Sequence, residues 1–375
     1  MARRVAQAFT YRTYSPRLPS AADVLPYLEE IDRNRWYTNF GPLVERFEAR
    51  LAAQVGLPRD RVVAVANCTL GLVLALESCG LPAGGLCALP SWTFVATAAA
   101  VRQAGLTPWF LDVDPRSWQL TPEIVEAALP QAPGSLAAVM PVAPFGAPLE
   151  AAPWAAFRDH RGLPVITDAA AGLASLTASH LPAVVSLHAT KPLGIGEGGV
   201  VFCETGAQAE EIRRRSNFGF DRDHAALWAG GNAKLSEYAA AVGLAALDAW
   251  PDLREALRTQ AERYRRALAP LAAEVAPSPP FAAGCVTSTC NLRLARPEAA
   301  RVVARLQEAG VEARQWWGGG CHTQPAYAAA PRGALPVTEE LARQVIALPF
   351  HLDLAPAQIE DIVGHLSSAL AAPGG

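Results

Sequence analysis

Lys191 stands at the end of Ser186-Leu187-His188-Ala189-Thr190-Lys191, and Gly194-Ile195-Gly196-Glu197-Gly198-Gly199 follows it closely. A lysine ahead of a glycine-rich turn suits covalent chemistry. Its amine can form a Schiff base with an aldehyde cofactor, and residues without a Cβ let the backbone approach a flat ring. Twenty-three residues upstream, Asp168 closes the apolar run Leu163-Pro164-Val165-Ile166-Thr167. A carboxylate at the C-terminal end of a buried strand can keep a pyridinium nitrogen protonated. A lysine with such an acid is the smallest signature of pyridoxal 5'-phosphate (PLP) chemistry. Each has an ordinary reading when taken singly. A lysine beside glycines is a solvated loop residue, and an aspartate after a strand is a turn former. Their order, with Ser186 five residues before the lysine, favours the chemical reading.

The elements that must position these groups show as alternating patterns. Residues 62–66, 86–89, 108–113, 137–142, 165–168, 183–187 and 199–203 are apolar runs of strand length. Helical patterns over 70–78 and 94–103 separate the first of them. Short, continuously apolar strands divided by helices predict a mostly parallel sheet covered on both faces. Sites in such sheets form at the C-terminal strand ends. Asn67-Cys68-Thr69, Asp168 and Ser186 all fall at such ends, so one pocket can collect them.

A longer helical pattern over 236–266 is interrupted by Pro251, which predicts two helices. Beyond it the texture changes to a strand over 286–294 and helices over 297–309 and 338–346. The expected division is a large domain with an N-terminal arm, 1–250, and a smaller α+β domain, 251–375.

The bulk composition excludes several classes. Half of the residues are hydrophobic (51%) and the net charge is −3, with no basic stripe or zinc-ligand spacing, so a nucleic-acid partner is not expected. Seven cysteines form no C-x-x-C pair, which points to a reducing compartment and no metal framework. The first ten residues hold no apolar core of the kind a secretory leader needs. The most apolar stretch, 62–76, carries Asn67 and Thr69 and falls short of the ~20 residues that span a bilayer. A cytoplasmic protein without a membrane segment is expected.

These residues resemble the DegT/StrS-type nucleotide-sugar aminotransferases, a branch of the fold-type I PLP enzymes. The likeness runs through Trp36-Tyr37-Thr38-Asn39-Phe40-Gly41-Pro42, Phe47-Glu48, Asn67-Cys68-Thr69 and Thr93-Phe94-Val95-Ala96-Thr97. It continues through Asp168-Ala169-Ala170, the lysine segment, Asn217-Phe218-Gly219 and Gly231-Asn232-Ala233-Lys234. It ends at Cys321-His322-Thr323-Gln324-Pro325 and Leu335-Pro336-Val337-Thr338-Glu339.

The resemblance implies an α/β fold: a mostly parallel seven-stranded sheet sandwiched by helices, plus the smaller C-terminal domain. It implies that Lys191 is the Schiff-base lysine and that Asp168 pairs with the pyridine nitrogen. Cys68, Thr69 and the Leu70 backbone match a phosphate cradle at a helix start, where unpaired N–H groups and the helix dipole favour an anion. Ser186 matches a second phosphate ligand, or caps locally. Phe94 matches the ring that stacks on the cofactor, with Trp92 as the alternative. Asn232 and Lys234 match a loop that reaches the phosphate of the other subunit, which implies a homodimer with shared sites. His188 and His322 are substrate-contact candidates; His188 also reads as a packed, hydrogen-bonded histidine.

The implied activity is transfer of an amino group from glutamate to a nucleotide-linked keto sugar, such as a 4-keto-6-deoxyhexose, with ping-pong kinetics through the Lys191 Schiff base. Two departures stand out. Ala171 occupies a position where the family commonly has Gln or His, and Pro141-Val142-Ala143-Pro144-Phe145-Gly146 replaces a more usual His-x-Tyr-Gly. They are the support for a rival reading, a PLP-binding regulatory or sensory protein without turnover. Another PLP reaction on a nucleotide sugar is a further rival; sugar 3-dehydratases carry His at the lysine position, and Lys191 argues against that branch.

Overall fold

A computed structural model of the chain describes residues 9–221 and 223–372. The segment read for a secretory leader lies mostly outside them, in residues 1–8. The first strands are β1 (Val62–Val65), β2 (Leu86–Pro90), β3 (Thr107–Leu111) and β4 (Leu136–Val139). They are followed by β5 (Thr167–Asp168), β6 (Ala183–Ser186) and β7 (Gly199–Phe202). Three strands pair in parallel as β3-β2-β4, and four pair as β1-β7-β6-β5. The parallel bridges Val139↔Val165 and Val142↔Asp168 join the two groups into one seven-stranded sheet, β3-β2-β4-β5-β6-β7-β1. Only β7 opposes its neighbours, running antiparallel to both β6 and β1. The expectation of a mostly parallel, seven-stranded sheet therefore holds.

Helices cover both faces. In the N-terminal part they are α1 (Ala21–Asn34), α2 (Pro42–Val55), α3 (Cys68–Glu77), α4 (Val95–Gln103), α5 (Pro122–Ala128), α6 (Ala151–Arg161), α7 (Gly206–Arg215) and α8 (Glu237–Asp248). Strand alternation sorts the buried side chains. Val63, Val65, Cys87, Leu89, Val184 and Val201 meet apolar residues of α3, α4 and α7 on one face. Val62, Ala64, Val185 and Val200 meet α2 and α8 on the other. Trp154 and Phe157 of α6 and Val125 of α5 cover Leu86, Ala88 and Val139 on that second face.

The long helical pattern is two helices, α8 and α9 (Trp250–Leu268), and Pro251 lies in the first turn of α9. Proline is tolerated there because that N–H has no intrahelical acceptor. Farther on are β8 (Val275–Pro277), α10 (Pro279–Ala282), β9 (Cys290–Leu294) and α11 (Ala299–Glu308). The chain ends in β10 (Arg314–Gln315), α12 (Pro336–Gln344), β11 (Val345–Leu348) and α13 (Pro356–Ala371). These strands form an antiparallel sheet, β10-β11-β9-β8. The helix expected to reach 346 stops at Gln344, because Val345 and Ile346 join the sheet between β9 and β10. The strand expected from 286 begins at Cys290, after a turn in which Thr289 N–H bonds to the Thr287 hydroxyl.

Candidate active site

The C-terminal ends of the central strands converge on the N-terminus of α3. Asn67 caps that helix: its backbone is extended and its Oδ1 accepts from Leu70 N–H at 2.9 Å. The Leu70 amide is thereby engaged. Among the described residues, none accepts from the Cys68 or Thr69 amide, so these are the first-turn donors open to an anion. Gly199, at the start of β7, lies against this turn. A Cβ there would sit 2.6 Å from both the Asn67 carbonyl carbon and the Cys68 nitrogen, which only glycine avoids. Ser186 is paired with Gly199 across β6 and β7, so the register carries its hydroxyl to the same corner. Ser186 Oγ also accepts from His188 N–H at 3.2 Å.

Asp168 ends β5 and is 5% exposed. Its Oδ2 accepts from the Thr97 hydroxyl at 2.7 Å, and Thr93 is hydrogen-bonded to Thr97 at 2.7 Å behind it. Its Oδ1 accepts from Ala170 N–H at 3.2 Å. Burial pushes the carboxyl above its ordinary range; the Thr97 and Ala170 bonds and the Lys191 charge pull the other way. Burial likewise lowers the Lys191 amine, opposed by Cys68 and Asp168. The Cys68 thiol is pushed well up by burial and then by Asp168, so it stays neutral. Lysine, carboxylate and thiol therefore share one electrostatic site. A lysine whose cationic form is disfavoured holds a free amine more readily, as a nucleophile and proton carrier must.

The two candidate stacking rings are placed differently. Phe94 is the residue before α4 and is 55% exposed, whereas Trp92 is 1% exposed. Trp92 meets Trp118 and Trp317 edge-on, with ring centroids at 6.4 and 5.5 Å. Phe94 is thus open to a ligand and Trp92 belongs to an aromatic core.

His188 is partly exposed and bonds through Nδ1 to the Thr190 hydroxyl at 2.9 Å, inside the lysine loop. His322 is buried and hydrogen-bonded through Nδ1 to Ser91 at 2.7 Å, just past β2. Burial lowers its basicity, and Arg332 lowers it further. Lys234 donates to Asn217 Oδ1 at 2.6 Å and lies 4.8 Å from the Phe218 ring centre. Asn232 bridges to Asn217, and Lys234 bridges to Val65 at the end of β1. Exposed aromatic residues lie elsewhere on the surface: Tyr37 and Tyr238 stack at 6.2 Å, beside the exposed Trp36.

The two departures from the family pattern meet in space. A Cβ on Gly146 would lie 2.9 Å from the Ala171 carbonyl oxygen, and Gly146 has φ of +89°. Phe145 stacks on Trp317 with centroids 4.3 Å apart. Reading the residues in order assigned Thr93 and Thr97 no role; their i, i+4 spacing at a helix start was the available signal. Among the described residues no cluster of His, Cys, Asp and Glu is placed to hold a metal ion. No helix among them is long and apolar enough to cross a membrane.

Residues 20–367 match the DegT/DnrJ/EryC1/StrS aminotransferase family. The chain is 31% identical over 339 residues to a UDP-2-acetamido-2-deoxy-3-oxo-D-glucuronate aminotransferase of Pseudomonas aeruginosa, covering 88% of this chain and 91% of that one. It is 33% identical over 239 residues to a dTDP-4-amino-4,6-dideoxy-D-glucose transaminase of Shigella dysenteriae, covering 62% and 63%. Its fold superposes on the crystal structure of DesI, determined in the presence of its TDP-sugar product, with a TM-score of 0.85 and 32% identity over 97% of this chain and 95% of that one. With the lysine, the carboxylate and the helix N-terminus in one site, and this likeness along nearly its whole length, the chain belongs to the DegT/DnrJ/EryC1/StrS aminotransferase family.

Proposed function

We propose that the protein is a PLP-dependent aminotransferase that converts a nucleotide-linked keto sugar, a 4-keto-6-deoxyhexose, to an amino sugar with glutamate as donor. The observation that carries this is the convergence of Lys191, Asp168 and the open amides of Cys68 and Thr69. The residues present fit PLP. Asp168 is a buried carboxylate steadied by two hydrogen bonds, suited to a pyridinium nitrogen. The Cys68 and Thr69 amides and the Ser186 hydroxyl suit a phosphate, and the open face of Phe94 suits a ring. Bound PLP supplies the electron sink that makes a donor's α-proton removable.

The chain's own groups supply the rest. Lys191, its amine kept available by burial, would take the proton from the donor's α-carbon and deliver it to the cofactor's C4′ carbon. Asp168 would hold a proton on the ring nitrogen, with the carboxylate kept aimed by Thr97. His188 and His322 face the sugar side. Asn232 and Lys234 act on the neighbouring site in a homodimer, and the exposed Trp36, Tyr37 and Tyr238 are covered by the second copy. The large domain runs to residue 250 and the small one from 251 to 375. The seven unpaired cysteines suit the cytoplasm.

Absorbance of the purified protein with PLP, followed by titration with L-glutamate, tests this reading. A visible band that disappears on adding glutamate supports the donor half-reaction, and ping-pong kinetics should follow with a keto-sugar acceptor. Lys191→Ala should lose both the band and turnover; turnover retained in that variant would overturn the assignment. The departures at Ala171 and Pro144-Phe145-Gly146 support one rival, a PLP-binding protein without turnover. A band indifferent to every amino donor would establish it.

A further inference from the structure

A cleft of about 60 Å³ opens on Lys191 between the N-terminal arm, the lysine loop and the C-terminal part of the chain. Tyr14, Thr190, Lys191, Ser288 and His351 are among its walls, and no carboxylate is. The arm is held in place by backbone bonds from Tyr11 N–H to Gly310 O and from Phe350 N–H to Thr13 O, each 3.1 Å. Thr13 N–H adds a bond to Glu312 at 2.9 Å. These contacts fix the Tyr14 ring against Trp316, at 6.4 Å between centroids, with the Arg314 guanidinium 5.9 Å away.

The Arg17 guanidinium is taken up by Asp353, a carboxylate outside the wall. Arg17 and Ser15 both bond to Asp353, and His351 Nδ1 lies 3.8 Å from the same carboxylate. Thr190 is engaged by His188. Among the described residues, none is hydrogen-bonded to the hydroxyl of Tyr14 or of Ser288. Burial pushes the Tyr14 phenol up to about 12, so it keeps its proton and donates. Two free hydroxyl donors beside a lysine, with no acid among the wall residues, suit a carboxylate.

We propose that Tyr14 and Ser288 bind a carboxylate of the amino donor next to Lys191, which makes the N-terminal arm part of the donor site. This rests on the aminotransferase reading above. Tyr14→Phe keeps the ring contacts and removes only the hydroxyl, and Ser288→Ala is equally small. In the full-length, PLP-loaded protein each should raise the L-glutamate concentration for half-maximal conversion by about 10- to 100-fold, the worth of one hydrogen bond to an ionised group. PLP affinity and thymidine diphosphate binding should not change. An unaltered glutamate dependence in both variants overturns the donor site while leaving the aminotransferase reading intact. Weakened thymidine diphosphate binding with normal glutamate conversion also overturns it and gives the cleft to the sugar nucleotide. Absence of a PLP band in the unmodified protein overturns both readings.

Discussion

The Thr97 hydroxyl donates to Asp168 Oδ2 across 2.7 Å, although 71 residues separate the two in sequence. Thr97 sits in the first turn of α4, Asp168 ends β5, and Thr93 backs the hydroxyl from the preceding turn. The carboxylate is thus aimed by neutral hydroxyls at a helix start.

Thr97→Val keeps the shape of that side chain and removes the donor. A hydrogen bond to an ionised group is worth about 1.5–3 kcal/mol, so PLP affinity should fall by one to two orders of magnitude. Titration with PLP, followed by visible absorbance, measures the loss. An unchanged affinity would show that Ala170 N–H alone suffices to hold Asp168.

Asp168 also costs the PLP-free protein stability. Its folded-state carboxyl is raised above the ordinary 3.8, chiefly by burial. The folded state therefore holds the proton more tightly than the unfolded chain. That contribution to stability is full below the ordinary value and is lost as pH rises through the raised one. Asp168→Asn escapes the loss. PLP-free Asp168→Asn should melt above the unmodified protein at neutral pH, with the gap narrowing toward pH 4, and should have no transaminase activity. Melting temperature against pH checks the sign; a gap that widens on acidification would contradict it.

Gly199→Ala places a Cβ 2.6 Å from the backbone at Asn67 and Cys68, and neither atom can swing away. A displaced α3 N-terminus should cost ~1–3 kcal/mol of stability and weaken PLP binding with it. Gly364→Ala is the contrast: it lies within α13, nothing stands within 4 Å of its Cβ, and the change should stabilise by ~1 kcal/mol. Thermal melts of the two variants, run side by side, separate crowding from a generic glycine effect.

Phe145 is 6% exposed and stacks on Trp317, joining the turn that follows β4 to the loop after β10. Phe145→Ala should cost ~3–5 kcal/mol by the cavity it leaves. Tryptophan fluorescence should change with it, because Trp118 and Trp317 both lose a ring neighbour. Unfolding by denaturant gives the energy.

Much of the scaffold was legible because its cause is local. A run such as Val62-Val63-Ala64-Val65, apolar on both faces, has to be a covered strand, and the strand-helix alternation makes the sheet mostly parallel. The antiparallel course of β7 was not legible, since Gly199-Val200-Val201-Phe202 is as apolar as its parallel neighbours. Val345 and Ile346 extended the pattern of α12 until pairing with β9 claimed them. Trp92 and Phe94 are two residues apart in one segment, and nothing local says that one ring is buried and the other open.

The order and types of Lys191, Asp168, Asn67 and Gly199 are written in the chain, because an amine, an acid, a cap and a missing Cβ are properties of single residues. Their convergence comes from the register of β6 against β7 and the seating of α3 on both, which sums many weak apolar contacts over long separations. The same long-range packing set Thr97 behind Asp168, brought Ala171 against Gly146 and laid Tyr14 along the cleft beside Lys191. No window of neighbouring residues contains those pairs, so only the folded chain could show them.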